Sequence, residues 1–433
     1  MRLGRTSALK PVCVGAAALG LIVGVAGDSA GAGTHASHYT PITNYAAYVG
    51  GTGKANPKLS PITIGAVNQQ TSTGAIAPAW TTGVKVAVDY VNQHTGGIDG
   101  HPVQAVYCAI PTTVGSAEKC GQKFADDSSI SAVIAGAIDV GNTALEAALE
   151  PSKKPIFWDV SLSPVDEKEP QGFIWWNTDT YVNSAIATFV KTVIHAKSVS
   201  LIYASSIPAE VTQANTVAST LSYEGLKKFY KVGFTAADTD LTEPLEAAHV
   251  GQTTFTIFVT SGGPTCSNVY LTLKSLGLAT KTKVEADVPC ATPTIAKADG
   301  GQLPHDWYYS SSQAMPGSKT PSITTVAKKI FGEYDKGPLY ANAWSEMGIS
   351  EILTIAKLDT KLLKAGEKVS PATLFAAARA FKGPTIQGAP HIDCGAYKTP
   401  ATCNDEVQFY ENTAPTVMKA VSTWIGPPKG WTK

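Results

Sequence analysis

The chain has 433 residues, a length that suits two or three domains of about 100–200 residues each. Its 44% apolar content can fill a large core, and only 16% of its residues are charged, with 34 basic and 34 acidic. That balance, with arginine confined to Arg2, Arg5 and Arg379, excludes nucleic acid and anionic membrane surfaces as partners.

In chain order, the first element is an exported-protein signature. MRLGRTSALK is basic, Pro11 to Gly27 is apolar, and Ala30-Gly31-Ala32 offers a small-residue cleavage site. An uncleaved anchor is the alternative, but the run is rich in Gly and Ala and shorter than the ~20 apolar residues that span a bilayer. We read residues 1–32 as a signal peptide cleaved near Ala32 or Ala36. Cys13 lies at the start of the apolar run, the wrong end for lipoprotein processing, so no lipid anchor is expected. Residues 33–60 are rich in Gly, Thr, Tyr and Asn without a period and read as a flexible linker.

Ile62–Val67 is a short apolar run of the kind that forms a buried strand. Val84, Ala87, Val88 and Val91 then mark one helix face, which Gly96-Gly97 terminates. Strand Val103–Tyr107, helix Val114–Asp127, strand Ala132–Ala135, helix Asn142–Leu149 and strand Pro155–Trp158 continue the alternation. A second series has helices at 181–195, 209–223 and 267–277, with strands at 198–203, 229–232, 254–259 and 283–286. Strands alternating with helices imply parallel βαβ units, here in two series. A long helix from Ala341 to Leu363 and another at 371–380 follow, and 386–425 reads as short strands and hairpins.

Once the signal is removed, six cysteines remain: Cys108, Cys120, Cys266, Cys290, Cys394 and Cys403. An even set in an exported chain suggests disulfides. Six cysteines allow fifteen connectivities, and we take the three sequence-local couples, 108–120, 266–290 and 394–403. Each such loop is worth roughly 2–3 kcal/mol in the chain-entropy model. A metal site would need C-x-x-C or finger-spaced histidines, and the sequence has neither.

The stretches ITIGAV (62–67), VKVAVDYVNQHTGGIDGHPV (84–103) and AVIAGAIDVGNTALEAALE (132–150) resemble branched-chain amino-acid-type periplasmic binding proteins of ABC importers. The most specific piece is N-x-x-x-G-G-I-x-G-x-x-V, carried by Asn92, Gly96, Gly97, Ile98, Gly100 and Val103. The resemblance runs on through 153–164, 172–180, 199–206, 258–263 and 273–278, covering about residues 61–425. It implies an α/β fold of two Rossmann-like lobes, the type I or Venus-flytrap arrangement, joined by three hinge crossings that we place near 177–180, 308–313 and 384–390. The N-terminal lobe would then be 61–178 plus 312–384, and the C-terminal lobe 179–311 plus 385–433. The lobes would close over a solute by hinge motion.

In open α/β sheets, ligands sit outside the carboxyl ends of strands. After strand one, the amides of Gln69 and Gln70, with Thr71, supply donors and acceptors without charge. After strand three come Ala137, Ile138, Asp139 and Val140, where the family usually carries hydroxyls that hold a solute carboxylate. Asp139 either contacts the solute or caps the following helix. In the first case it would repel a carboxylate, so a simple α-amino acid is disfavoured. Asp159 and Ser161 follow strand four, with Trp158 assignable to cleft or core. From the second lobe we expect Ser206, Ile207, Glu210, Ser261 and Asp287, the last as partner to a solute ammonium.

The implied function is capture of a small polar solute, neutral or cationic, and its delivery to the permease subunits of an ABC importer by a monomeric receptor. An extracytoplasmic ligand sensor for a signalling partner uses the same fold. A secreted hydrolase is disfavoured, because G-x-S-x-G, H-E-x-x-H and S-x-x-K with its companions are missing. Gly50–Ala55 lacks a phosphate loop's spacing. No cofactor or metal is expected.

Overall fold

Two mixed-connection sheets with parallel cores follow the two series of strand–helix alternation. A computed structural model describes residues 42–70, 77–111, 113–138, 140–260, 263–287, 290–291, 293–313, 343–414 and 417–431. These all belong to one unit, Thr34–Lys433. The signal segment 1–32 and the candidates Thr71, Asp139 and Ser261 lie outside the described residues.

The first series runs α1 (Tyr45–Val49), β1 (Ile62–Gln69), α2 (Ala77–His94), β2 (Val103–Ile110), α3 (Val114–Asp126), β3 (Ile130–Ala135), α4 (Asn142–Leu149), β4 (Ile156–Val160) and β5 (Gly172–Asn177). Its strands are all parallel, in the order β2-β1-β3-β4-β5. β3 and β4 are buried along their whole length, as expected of strands covered on both faces. The Asn-Gly-Gly motif has a mechanical reason. Asn92 donates from Nδ2 to the Val103 carbonyl at 2.9 Å and accepts the Val103 amide at 2.8 Å, acting as a surrogate neighbour for β2. Gly96 and Gly97, at φ 79° and 72°, reverse the chain between them.

The second series runs α5 (Asp179–Phe189), β6 (Val199–Ala204), α6 (Pro208–Tyr223), β7 (Phe229–Phe234), α7 (Thr242–Ala247), β8 (Phe255–Val259), α8 (Gly263–Ser275), β9 (Val284–Asp287), α9 (Pro293–Ala298) and β10 (Trp307–Ser311). Then come α10 (Ala343–Lys364), α11 (Pro371–Arg379), β11 (Gln408–Ala414) and β12 (Val417–Ala420). The second sheet has the order β12-β11-β10-β9-β8-β6-β7, parallel from β7 to β10 and antiparallel at β11 and β12.

α10 returns to the first sheet. Ile349, Ile352, Leu353, Ile355 and Ala356 share one core with Ile64 of β1, Val84 and Val91 of α2, and Phe157 of β4. Gly83 and Gly348 let α10 and α2 touch backbone to backbone: a methyl at Gly83 would run into the Ser345 carbonyl, and one at Gly348 would meet the Trp80 carbonyl at 2.7 Å.

The structure corrects two expectations about organisation. The third passage between sheets falls not near 384–390 but after Cys403, so residues 385–403 do not belong with the second sheet. Ile386, Ala389, Ile392, Cys394 and Cys403 are buried in the first core, and Asn404 Nδ2 donates to the Trp176 carbonyl at 2.8 Å before β11 begins. Apolar side chains in this loop-rich stretch have no period, which hid their common core from the sequence. The segment expected as a flexible linker is also ordered over its described residues 42–60. Tyr45 and Val49 of α1 are buried, Tyr48 Oη lies 3.3 Å from Thr354 Oγ1 on α10, and the Lys357 ammonium sits 3.9 Å from the Tyr48 ring centre. Two apolar residues four apart on a single helical turn were too short a signal among the glycines.

All three expected cysteine couples are bonded: Cys108–Cys120 ties β2 to α3, Cys266–Cys290 ties α8 to the segment after β9, and Cys394–Cys403 closes a loop after α11.

Candidate functional site

The two sheets turn helix starts toward each other. A cavity of about 280 Å³ is lined on one side by Gly141, Asn142, Thr143 and Ala144 at the start of α4 and by Leu162, Ser163 and Pro164 after β4. Pro208, Ala209 and Thr212 of α6 line it from the other side, and Val114 of α3 completes it. Each helix start presents amide N–H groups and the positive end of its dipole. The chain enters α4 through Gly141 at φ 98°, and a side chain there would also collide with Ala117, so only glycine suits the position.

Among the described residues the polar lining, Asn142, Thr143, Ser163 and Thr212, bears no formal charge and includes no His, Cys or carboxylate. Among the described residues His305, Asp306 and Glu411 bring ligand atoms within 4.8 Å of one another, but none of them lines the cavity.

Behind the first wall lies a buried carboxyl pair. Asp166 accepts from Asn142 Nδ2 at 2.8 Å and from the Ser163 amide at 3.2 Å, fixing both sides of the wall. Burial, then the neighbouring Asp166 charge, pushes Glu146 up to about 9. Burial also raises Asp166, to about 7, against the pull of its hydrogen bonds. The pair therefore retains a proton at neutral pH, which lets one carboxyl donate to the other.

The sequence-derived candidates divide into those beside the cavity and those turned inward. Val140 precedes Gly141, Ile207 precedes Pro208, and Ser161 Oγ donates to the Ser163 carbonyl at 2.7 Å, so these three adjoin the cavity. Gln69 is not in a loop: β1 extends through it and it is buried. Gln70 Nε2 donates to Thr81 Oγ1 on α2. Ala137 and Ile138 are buried, their side chains lying in two different apolar clusters. Trp158 resolves to core as well.

Asp159 is fully buried beneath the cleft, raised by burial, with Glu351 of α10 raised by burial and by the Asp159 charge. Glu210 is buried and accepts the Ala204 amide at 3.1 Å and Thr260 Oγ1 at 3.3 Å, tying two strand ends together. Ser206 is exposed, and its Oγ accepts the Ala236 amide at 2.9 Å. Asp287, at the carboxyl end of β9, accepts Ser310 Oγ at 3.1 Å and is pushed up to about 6 by burial.

Asn142, Thr143, Ser163 and Thr212 were missed. Asn142-Thr143 opens the helix just past the loop that was read, so its polar pair was a usable signal. Thr212 lies within a helix of mixed polarity and gave none.

With this geometry in view, the comparisons decide the family. The model described as periplasmic binding protein matches residues 61–405. The chain belongs to the periplasmic binding protein family. Among solved structures, the periplasmic binding protein described here resembles the branched-chain amino acid transporter substrate-binding protein LivJ of Streptococcus pneumoniae, solved with isoleucine, at TM-score 0.66 and 14% identity, covering 85% of this chain and 100% of that one. It also resembles a solute-binding protein of R. palustris in complex with 4-hydroxybenzoate, at 0.66 and 17%, covering 86% and 99%. A fatty acid ABC transporter substrate-binding protein of Thermomonospora curvata matches at 0.67 and 12%, covering 88% and 97%. At these identities the likeness establishes the two-lobed type I fold. A search of curated proteins finds no match. As a periplasmic binding protein, the chain is a binder of solutes and not an enzyme. None of its described helices is long and apolar enough to cross a membrane.

Proposed function

We propose that this protein is an exported receptor that captures a small polar solute between its lobes and delivers it to the permease of an ABC importer. The observation that carries the reading is the cavity between the starts of α4 and α6, whose described polar lining from both sheets is uncharged. Helix amides on both walls suit a solute's carbonyl, amide or other partly negative group. The relatives in complex show that this fold accepts quite different solutes, isoleucine in one and 4-hydroxybenzoate in another.

The solute class follows from charge. Asp139 stands where the resemblance puts a hydroxyl, and Asp287, at the end of β9, is the acid where the resemblance puts the partner of a solute ammonium. A neutral or cationic polar solute, such as an amide or a basic amino-acid derivative, fits better than a simple branched-chain amino acid. Export rests on residues 1–32 acting as a signal, and a monomer suffices because both cavity walls come from one chain.

Titration of the mature protein with neutral, cationic and anionic candidates tests this. A cognate solute at 100 times its Kd should raise stability by about 2.7 kcal/mol, and Asp287→Asn should weaken a cationic solute selectively. High-affinity binding of leucine, isoleucine or valine that Asp139→Asn leaves unchanged would overturn the solute class.

A further inference from the structure

A second cavity, of about 430 Å³, opens at the opposite end of the second sheet. It lies where the π-helical turn Val190–Ile194 and α6 end and where β6 and β7 begin, so it is at the amino ends of parallel strands whose carboxyl ends face the cleft. Its volume is in the ~300–1,000 Å³ range of small-molecule sites. The floor is apolar: Ala187, Val190 and Leu221 are almost wholly buried, and Leu226 joins them.

Its rim holds Lys191, Lys197, Lys227 and Lys228 beside His195, and among the described residues the one acid there is Glu224, which pairs with Lys191. The two helix ends contribute about half a negative charge each. Four ammonium groups thus face about two negative charges, leaving a surplus of about two positive charges over an apolar floor. The whole chain, with 34 basic and 34 acidic residues, is balanced, so this concentration of positive charge is local.

We propose that this cavity is a second binding site, separate from the cleft, for an amphipathic anion: a phosphate or carboxylate head held by the lysine rim, with a short alkyl body against the half-buried Leu226 and the aliphatic stems of the lysines. The burial of apolar body and the charge of the head act together, so neither half alone should bind well.

Octyl phosphate tests the proposal, with inorganic phosphate and octanol as half-ligands, followed by backbone amide NMR of the mature protein. Octyl phosphate should shift the Ala196 and Gly225 amides saturably, at least about tenfold more tightly than either half-ligand. The exposed double substitution Lys197→Gln/Lys228→Gln should weaken it about tenfold. The proposal fails if no saturable shift occurs by about 5 mM, or if the shifts centre on Ala144 and Ala209 in the cleft. It fails equally if a half-ligand binds as well as the whole or the lysine substitutions change nothing.

Discussion

Moving from pH 8 to pH 5 should stabilise this protein, raising its Tm by about 5 °C or more. The cause is a set of buried carboxyl groups that pair with no cation among the described residues. Asp359 on α10 has no hydrogen-bond partner among the described residues, and burial pushes it up to about 8. Asp159 and Glu351 are both raised by burial, as is Glu346. The Glu146–Asp166 pair behind the cleft wall is raised to about 9 and about 7.

In the unfolded chain these groups ionise near pH 4. Above that, the unfolded state sheds protons that the folded state retains, so rising pH favours unfolding until each folded value is reached. Stability is therefore lost across the window from about pH 4 to about pH 9, the reverse of the behaviour of a salt-bridged carboxylate. Asp127, Asp240 and Asp393 are shifted downward by hydrogen bonds, and what they add is lost only on the acid side of that window. One unit of displacement is worth about 1.4 kcal/mol, so Asp359 alone contributes several. Calorimetry at pH 5 and pH 8 checks the sign, and Asp359→Asn should raise Tm at pH 8 while flattening the dependence. An equal or lower Tm at pH 5 would contradict it.

Gly83→Val should destabilise the protein by about 3 kcal/mol or more, because the helices cannot part without opening the first core. The added Cβ meets the Ser345 backbone oxygen, which no rotamer change can move aside. Gly115→Ala on α3 is the comparison: a Cβ there meets nothing within 4 Å, so the change should be neutral or stabilising by up to about 1 kcal/mol. Urea unfolding of the three proteins separates them. Tolerance of valine at Gly83 would mean that α10 does not lie against α2.

Much of the fold was legible because its signals are local. The continuous apolar runs of β1 and β3 and the Val84–Val91 face of α2 carry their period in a few residues, and Asn92 with its glycines reports a clamp that only this turn needs. The cysteine couples were legible because sequence neighbours close short loops. What failed depends on contacts between distant segments. Residues 385–403 join the first core through scattered side chains with no period, and α1 is held by Thr354 and Lys357, some three hundred residues away.

The site was read more coarsely than the fold. The rule that solutes lie beyond strand ends led to loops that adjoin the cavity, but not to the direction in which each side chain turns. Glu210 accepts hydrogen bonds from two strand ends, while Thr212, two residues on, lines the cavity. About half a helical turn separates these two residues, and a single sequence does not register which of them faces the cavity.

The most direct test of the two-lobed receptor is mass spectrometry of the solute released on denaturing gently purified mature protein, beside Ala209→Trp. Ala209 sits on the α6 wall of the cavity, and an indole there would fill the space between the walls. The wild-type protein should release about one equivalent of a small polar solute, and the variant less than about a tenth of that. Equal release from both proteins would place the solute elsewhere and contradict the account.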